Sequence, residues 1–400
     1  MQEVCAADIL CNRPGVKHIM NSYERVLMAY TKQKSDHVPI YCGSVSSEFA
    51  SLVLGRDAYV GGGKQRYNET LALWNGPDAY EEFLAKSRQD AYDWAKLMDF
   101  DLVRPSYWRY KHKPGERLDG NTFKYDRPDG SYWIMRYYPK SELFQTVKDT
   151  APVIDNVDEL EKTVESFEKS AAGYNPVPSA YSDYLDAMSY FKYQKAVYTG
   201  GLSLAIPNVS SLWYEAVALR PDLVDRYLEA QLIRALKNIP LLSAIGARFV
   251  FGGGDCAGNQ GLMYSPKVFN EMLVPRFKKI SDACHKYGIF HTFGSDGNFW
   301  AVSDSLYIDS GIDGHYEADC LCGMDIRSIK KRYPHITVIG GISSTTLDRG
   351  TKEQVEKETM EAIFAAKEFG GAIVGCSNLV TATTPMDNFV LMMDLLHKYK

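Results

Sequence analysis

Short apolar runs alternate with longer amphipathic stretches along most of the chain, most clearly in its second half. The runs are Val197–Gly201, Arg248–Asp255, Gly288–Phe293, Gly314–Glu317, Ile336–Gly340 and Ala372–Cys376. Each reads as a strand buried on both faces. Between them the spacing predicts helices over Trp213–Leu219, Pro221–Leu242, Pro266–Tyr287, 298–310, Asp325–Tyr333, Thr351–Phe369 and Asp387–Tyr399. Pro221 opens its helix at a position that needs no N–H, whereas Pro275 is expected to kink the helix that holds it. Asp36–Tyr41 and Asp101–Arg104 add two earlier strands, with helical stretches at 44–60 and 67–98 between them. Strands alternating with helices at this spacing predict a parallel α/β sheet. Roughly eight such units fit a TIM (β/α)8 barrel.

Two segments depart from the rhythm. Residues 1–20 read as an arm leading into a helix at Arg25–Thr31, with Asn21 placed to cap it; together they form an N-terminal helical extension. Residues 105–145 carry Asp119-Gly120 and Pro128-Asp129-Gly130 between β-prone flanks, which predicts a small antiparallel β insertion. Gly61-Gly62-Gly63-Lys64 reads as a loop. The whole of 1–400 is expected to be one domain.

Composition narrows the function. The chain has 45% hydrophobic and 24% charged residues and a formal net charge of -5, with no basic stretch to track a phosphate backbone. Nucleic acid is therefore excluded as a partner. No apolar run approaches the roughly 20 residues that span a bilayer, and the N-terminus has no signal-like pattern, so a cytoplasmic protein is expected. Eight Cys in such a chain read mostly as reduced, buried thiols.

The carboxyl ends of barrel strands share one mouth, where barrel enzymes place their chemistry. The polar residues there are Asp255, Asn259, His291, Asp296, Glu317, Asp319, Ser343, Cys376, Ser377 and Asn378. His291, Glu317 and Cys376 are the sharpest set. Imidazole, carboxylate and thiolate all ligate zinc, and three protein ligands with an open position make a catalytic site. The same three also serve without metal, with His291 carrying protons and Cys376 as filler. Asp255 and Asp296 are candidates to orient or protonate a leaving group. Asn259, Asp319, Ser343 and Asn378 are left to contact substrate. Gly252-Gly253-Gly254 is a weak signal for anion binding, because such runs are common for steric reasons.

From Gly252 onward the chain resembles the uroporphyrinogen decarboxylase superfamily. The resemblance is carried by the GGGD loop, Tyr264-Ser265-Pro266, Val274-Pro275-Arg276, Ser295-Asp296-Gly297-Asn298, Gly323-Met324-Asp325, Gly340-Gly341-Ile342-Ser343 and Thr384-Pro385; Arg25-Val26-Leu27 and Asp36–Pro39 extend it to the N-terminal part. It implies a TIM barrel, one that often pairs as a homodimer. True porphyrinogen decarboxylases carry an Arg-rich loop at the first strand end. Here that end reads Tyr41-Cys42-Gly43-Ser44-Val45-Ser46-Ser47, without the cations a polycarboxylate requires. The chain is more similar to the superfamily's zinc-dependent methyltransferases, which move methyl groups between a small methylated compound and a corrinoid protein. That likeness implies zinc on His291, Glu317 and Cys376, and a corrinoid carried by a partner. Phe293 stands where the pattern has a further Cys. Two other expectations remain open beside it: a metal-free decarboxylase or lyase for a small acid using Asp255 and His291, and a small-molecule-binding member that has lost catalysis.

Overall fold

The computed structural model describes residues 20–400; most of the arm read at 1–20 lies outside them. Seven parallel strands form one sheet in sequence order: β1 (Leu102–Val103), β2 (Ala196–Ser203), β3 (Phe249–Gly253), β4 (Phe290–Gly294), β5 (Gly314–Ala318), β6 (Thr337–Ile342) and β7 (Ala372–Cys376). The stretch around Ile40 closes the sheet on itself. Ile40 bridges Val374 in parallel, the Tyr41 N–H donates to Val374 O at 3.0 Å, and the Val374 N–H donates to Pro39 O at 2.9 Å. On its other side the Asp101 N–H donates to Ile40 O at 2.9 Å. The Asp101 carboxylate reinforces this seam by accepting the Ile40 N–H at 2.8 Å and Arg25 Nη1 at 3.1 Å. The expected TIM barrel is thus present, and Asp36–Tyr41 supplies its eighth stave.

Strand alternation sets two apolar layers. Tyr41, Leu102, Tyr198, Phe249, Phe251, Tyr316, Ile339 and Ile373 fill the barrel interior. Val250, Phe293, Val338, Ile342 and Val374 face outward and join the larger core beneath the helices. The helix Ser22–Tyr30 plugs the amino end of the barrel: Val26, Ala29 and Tyr30 pack into the interior cluster, and Tyr30 Oη lies 2.6 Å from Thr292 Oγ1. Burying this apolar face closes off the bottom, so the carboxyl end is the one left open to solvent. The stretch before Pro275 forms a π-turn at Phe269–Leu273 and then resumes as Val274–Lys286. The kink expected there is the helix adjusting to a residue with no N–H.

The insertion is a four-stranded antiparallel sheet, Glu116–Arg117, Thr122–Asp126, Tyr132–Tyr138 and Leu143–Asp149. Its buried face of Phe123, Tyr125, Met135, Tyr137 and Phe144 packs on Tyr67, Leu71 and Trp74 of the helix Gly62–Asn75. Glu142, at φ 50, latches it to the barrel. Its carboxylate accepts the N–H groups of Ser47 (2.8 Å) and Glu48 (3.2 Å), at the start of the helix Ser47–Leu54. Gly61–Lys64, expected as a loop, instead opens a helix; a Cβ at Gly63 would stand 2.2 Å from Glu142 O, so glycine is required for this approach.

Candidate active site

The carboxyl ends of the strands surround a cavity of about 860 Å³, within the range of small-molecule sites. Its floor is aromatic. Tyr198 stacks on Phe251 with centroids 4.1 Å apart, and Tyr41 Oη donates to Tyr198 Oη at 2.7 Å. Burial pushes the phenols of Tyr41, Tyr198 and Tyr316 upward, so all three keep their protons.

Glu317 reaches this cavity from a β-bulge. The pairing of β5 with β6 passes from Tyr316↔Ile339 to Ala318↔Gly340 and leaves Glu317 unpaired, with φ 73. A bulge re-aims a side chain, and a non-glycine residue held there costs about 1–3 kcal/mol. Burial pushes the Glu317 carboxyl up to about 8, and the negative fields of Asp296 and Asp255 add to the effect; Arg104 partly offsets it. Glu317 therefore holds a proton at neutral pH. Burial and the field of Asp255 also raise Asp296, whose Oδ2 accepts Asn378 Nδ2 at 3.3 Å. Asp255 stands exposed at the rim, accepting Asn208 Nδ2 at 3.3 Å. Three carboxyl groups line one cavity, and the most enclosed of them is a neutral acid.

The structure brings together Asp255, Asp296, Glu317 and Asn378, all of which line the cavity. The other expected residues lie elsewhere. His291 belongs to the outward-facing set of β4 and is fully buried beneath the helices. Its Nδ1 lies 2.9 Å from Ser281 Oγ, its backbone N–H donates to Asp313 Oδ2 at 2.8 Å, and its Nε2 has no partner among the described residues. Burial pushes the imidazole down to about 4, so it is neutral. Cys376 also faces outward. The Ile40↔Val374 register sets it opposite Cys42, and hydrogen bonding to that thiol, together with burial, holds the Cys376 thiol well above its usual range.

His291 is one residue from the amino end of its strand, whereas Cys376 closes the carboxyl end of its own. His291 and Cys376 thus lie in the outer layer at opposite strand ends while Glu317 faces the cavity, and the zinc set implied by the resemblance is not assembled. Among the described residues no group of three His, Cys, Asp or Glu side chains is arranged for a metal ion. Phe293 is part of the same outer layer, edge-on to Phe277 and Phe299. A Cβ on Gly253 (φ 87) would meet the Phe293 ring at 2.8 Å, which gives the glycine-rich loop its steric reason. We expect His291→Gln to leave turnover near wild type and to lower stability by about 1–3 kcal/mol in urea unfolding. Lost turnover at unchanged stability would return His291 to the chemistry.

Asp319 and Ser343 are committed to each other. Asp319 Oδ2 accepts Ser343 Oγ at 3.0 Å and Ser377 Oγ at 2.9 Å, tying the ends of β5, β6 and β7. Asn259 sits exposed beside a short hairpin, accepting Cys322 Sγ at 3.3 Å. Neither they nor Asn259 form the cavity wall, so Asn378 alone of the four substrate-contact candidates does. The residue missed from the sequence is Arg104, which follows β1 and lines the cavity. A single Arg at a strand end is an ordinary signal in one dimension.

These observations define an α/β-barrel with a cavity in its mouth that is lined by carboxyl groups, arginines and aromatic rings. The model of the uroporphyrinogen decarboxylase family, URO-D, matches residues 253–399. The fold over nearly the whole chain is similar to that of a methyltransferase from Methanosarcina mazei, with TM-score 0.59 at 14% identity, covering 95% of this chain and 99% of that one. A xylose isomerase-like TIM barrel protein from Mycobacterium smegmatis, in complex with magnesium, aligns with TM-score 0.32 at 12% identity, over 62% of this chain and 90% of its own. No curated protein matches the chain in sequence. The likeness in sequence to the uroporphyrinogen decarboxylase family is thus carried by residues 253–399, and the likeness in fold extends over nearly the whole chain.

Proposed function

We propose that this chain is a methyltransferase of that superfamily, taking a methyl group from the heteroatom of a small methylated compound. The observation that carries the reading is Glu317, a carboxyl raised to about 8 and aimed by a strained bulge into the cavity. When a methyl group leaves an ether oxygen or a thioether sulfur, the heteroatom keeps the bonding electrons and needs a proton. A neutral carboxylic acid at that atom supplies it as the bond breaks. Asn378 and Asp296 orient the leaving group, and Asp255 at the rim returns a proton from solvent to Glu317.

The acceptor we propose is a corrinoid on a partner protein, which would supply a cobalt centre able to take up methyl. The zinc set does not fit these residues, and no step is routed through it. The chain's location is proposed as cytoplasmic, in keeping with the free thiols of all six described cysteines; no described helix is long and apolar enough to cross a membrane. The lyase reading depended on His291 as a proton carrier, and His291 is sealed beneath the helices.

The test is to incubate the protein with reduced cobalamin and, in turn, methoxyarenes, methylamines and methylthiols, and to follow demethylated product by mass spectrometry. Protein-dependent product from one class is expected. Absence of product from every class, with carbon dioxide released from small acids instead, would replace this reading by decarboxylation.

A further inference from the structure

Arg104 lines the same cavity as Asp255, Asp296 and Glu317, yet among the described residues it forms no ion pair. Its Nε donates to Ser106 O at 3.1 Å and its Nη1 to Ser44 Oγ at 2.5 Å, leaving Nη2 uncommitted. The guanidinium carbon is 4.7 Å from the Tyr107 ring centre and 4.8 Å from that of Trp108, so the group is held by cation–π contact and not by a carboxylate. The other arginines of the cavity wall are already paired. Arg88 binds Asp183 and Asp186, each at 2.7 Å, and Arg109 binds Asp183 at 3.0 Å. Lys111 is exposed. A guanidinium withdrawn from water without a counter-ion is costly.

We infer that the substrate carries a carboxylate, anchored by Arg104, at one end and its methyl-bearing heteroatom, presented to Glu317, at the other. The second half of this statement rests on the methyl-transfer reading; the first half does not. The anchor also accounts for the one cavity arginine among the described residues that is not held by an acid. One carboxylate needs one guanidinium, whereas the polycarboxylate of a porphyrinogen needs several, and the first strand end has none. The neutral state of Glu317 complements the anchor, because a charged carboxylate at that position would repel an anionic ligand.

Calorimetric titration of the full chain with 3-methoxybenzoate and 3-(methylthio)propanoate, each against its neutral amide, tests this. The acids are expected to bind about 10- to 100-fold more tightly than the amides, the worth of a charge-assisted hydrogen bond. Arg104→Gln should collapse that preference, Arg104→Lys should restore part of it, and Glu317→Gln should leave it intact. A merely structural arginine would change the affinities for acid and amide alike. Should Arg104→Gln not fold, the wild-type comparison and Arg104→Lys decide. Equal affinity for acid and amide, a preference surviving Arg104→Gln, or no binding of either acid would overturn the anchor. Acid preference without any methyl transfer would keep the anchor and remove the proposed reaction.

Discussion

Glu317→Gln is expected to abolish turnover while making the protein more stable above neutral pH. The two effects have one origin. The carboxyl sits near 8 because burial and the nearby Asp296 and Asp255 penalise its charge. In the unfolded chain it titrates near the ordinary glutamate value of about 4.3. Between these two pH values the folded state holds a proton that the unfolded chain has released, so stability falls as pH rises through that window. The loss amounts to a few kcal/mol, on the order of 1.4 kcal/mol for each pH unit the window spans. Glutamine keeps the shape of the side chain at φ 73 and has no charge to bury, so its stability should be flat where wild type declines. Turnover should fall by roughly 10²- to 10⁴-fold, the range for loss of a general acid. Wild-type activity should itself decline as pH rises through about 8, where Glu317 gives up its proton. Urea unfolding at pH 6 and pH 9, beside turnover at both, checks the pair. A variant no more stable than wild type at pH 9 would show that Glu317 is not strained by its charge.

The barrel could be read from the chain because each strand is a local apolar run and each helix a local periodicity. Even the closing stave at Asp36–Tyr41 announced itself in this way. The site was only half legible, and the reason is the double burial of parallel strands. In an amphipathic strand, polarity says which residues face the core. In Phe290-His291-Thr292-Phe293-Gly294 each alternating set holds one Phe and one polar residue, so period two cannot tell inside from outside. The set containing Thr292 faces inward, where Thr292 meets Tyr30, and His291 is carried outward with Phe293. Cys376 follows the same rule through Val374. Glu317 was found, but its bulge was not, because a bulge is a property of pairing with β6 and has no mark in β5 alone. Arg104 was passed over for a similar reason. What singles it out is that its neighbours Arg88 and Arg109 hold Asp183 and it holds no acid, which only the folded arrangement makes visible.

Gly375→Ala is expected to be the most damaging single methyl group added to this fold. Gly375 has an ordinary strand conformation, so the demand for glycine is not one of φ. It comes from the seam. A Cβ at this position would stand 1.6 Å from Tyr41 O and 2.7 Å from Tyr41 C, both backbone atoms with no freedom to rotate away. The stave that holds them is fixed by the Tyr41 and Val374 bonds on one side, the Asp101 bonds on the other, and the Arg25–Asp36 pair at its start; the pairing of Ser44–Val45 with Leu379–Val380 continues the seam just beyond. Relieving the clash means withdrawing Tyr41 from the seam, which breaks the ladder and opens the barrel. A loss of more than about 4 kcal/mol is expected, which places the variant among the exceptional cases. Gly173→Ala is the control, since nothing stands within 4 Å of its added carbon; it should change stability by less than about 0.5 kcal/mol. Urea unfolding of the two variants beside wild type decides, and a Gly375→Ala protein as stable as wild type would mean the seam is looser than its geometry. The same displacement reaches the site. Tyr41 carries the hydrogen bond to Tyr198 on the cavity floor, and Ser44, three residues on, fixes Nη1 of Arg104. Whatever Gly375→Ala protein does fold should therefore lose the preference for acid over amide along with its stability, because the barrel's closure and the anion anchor hang on the same short stretch of chain.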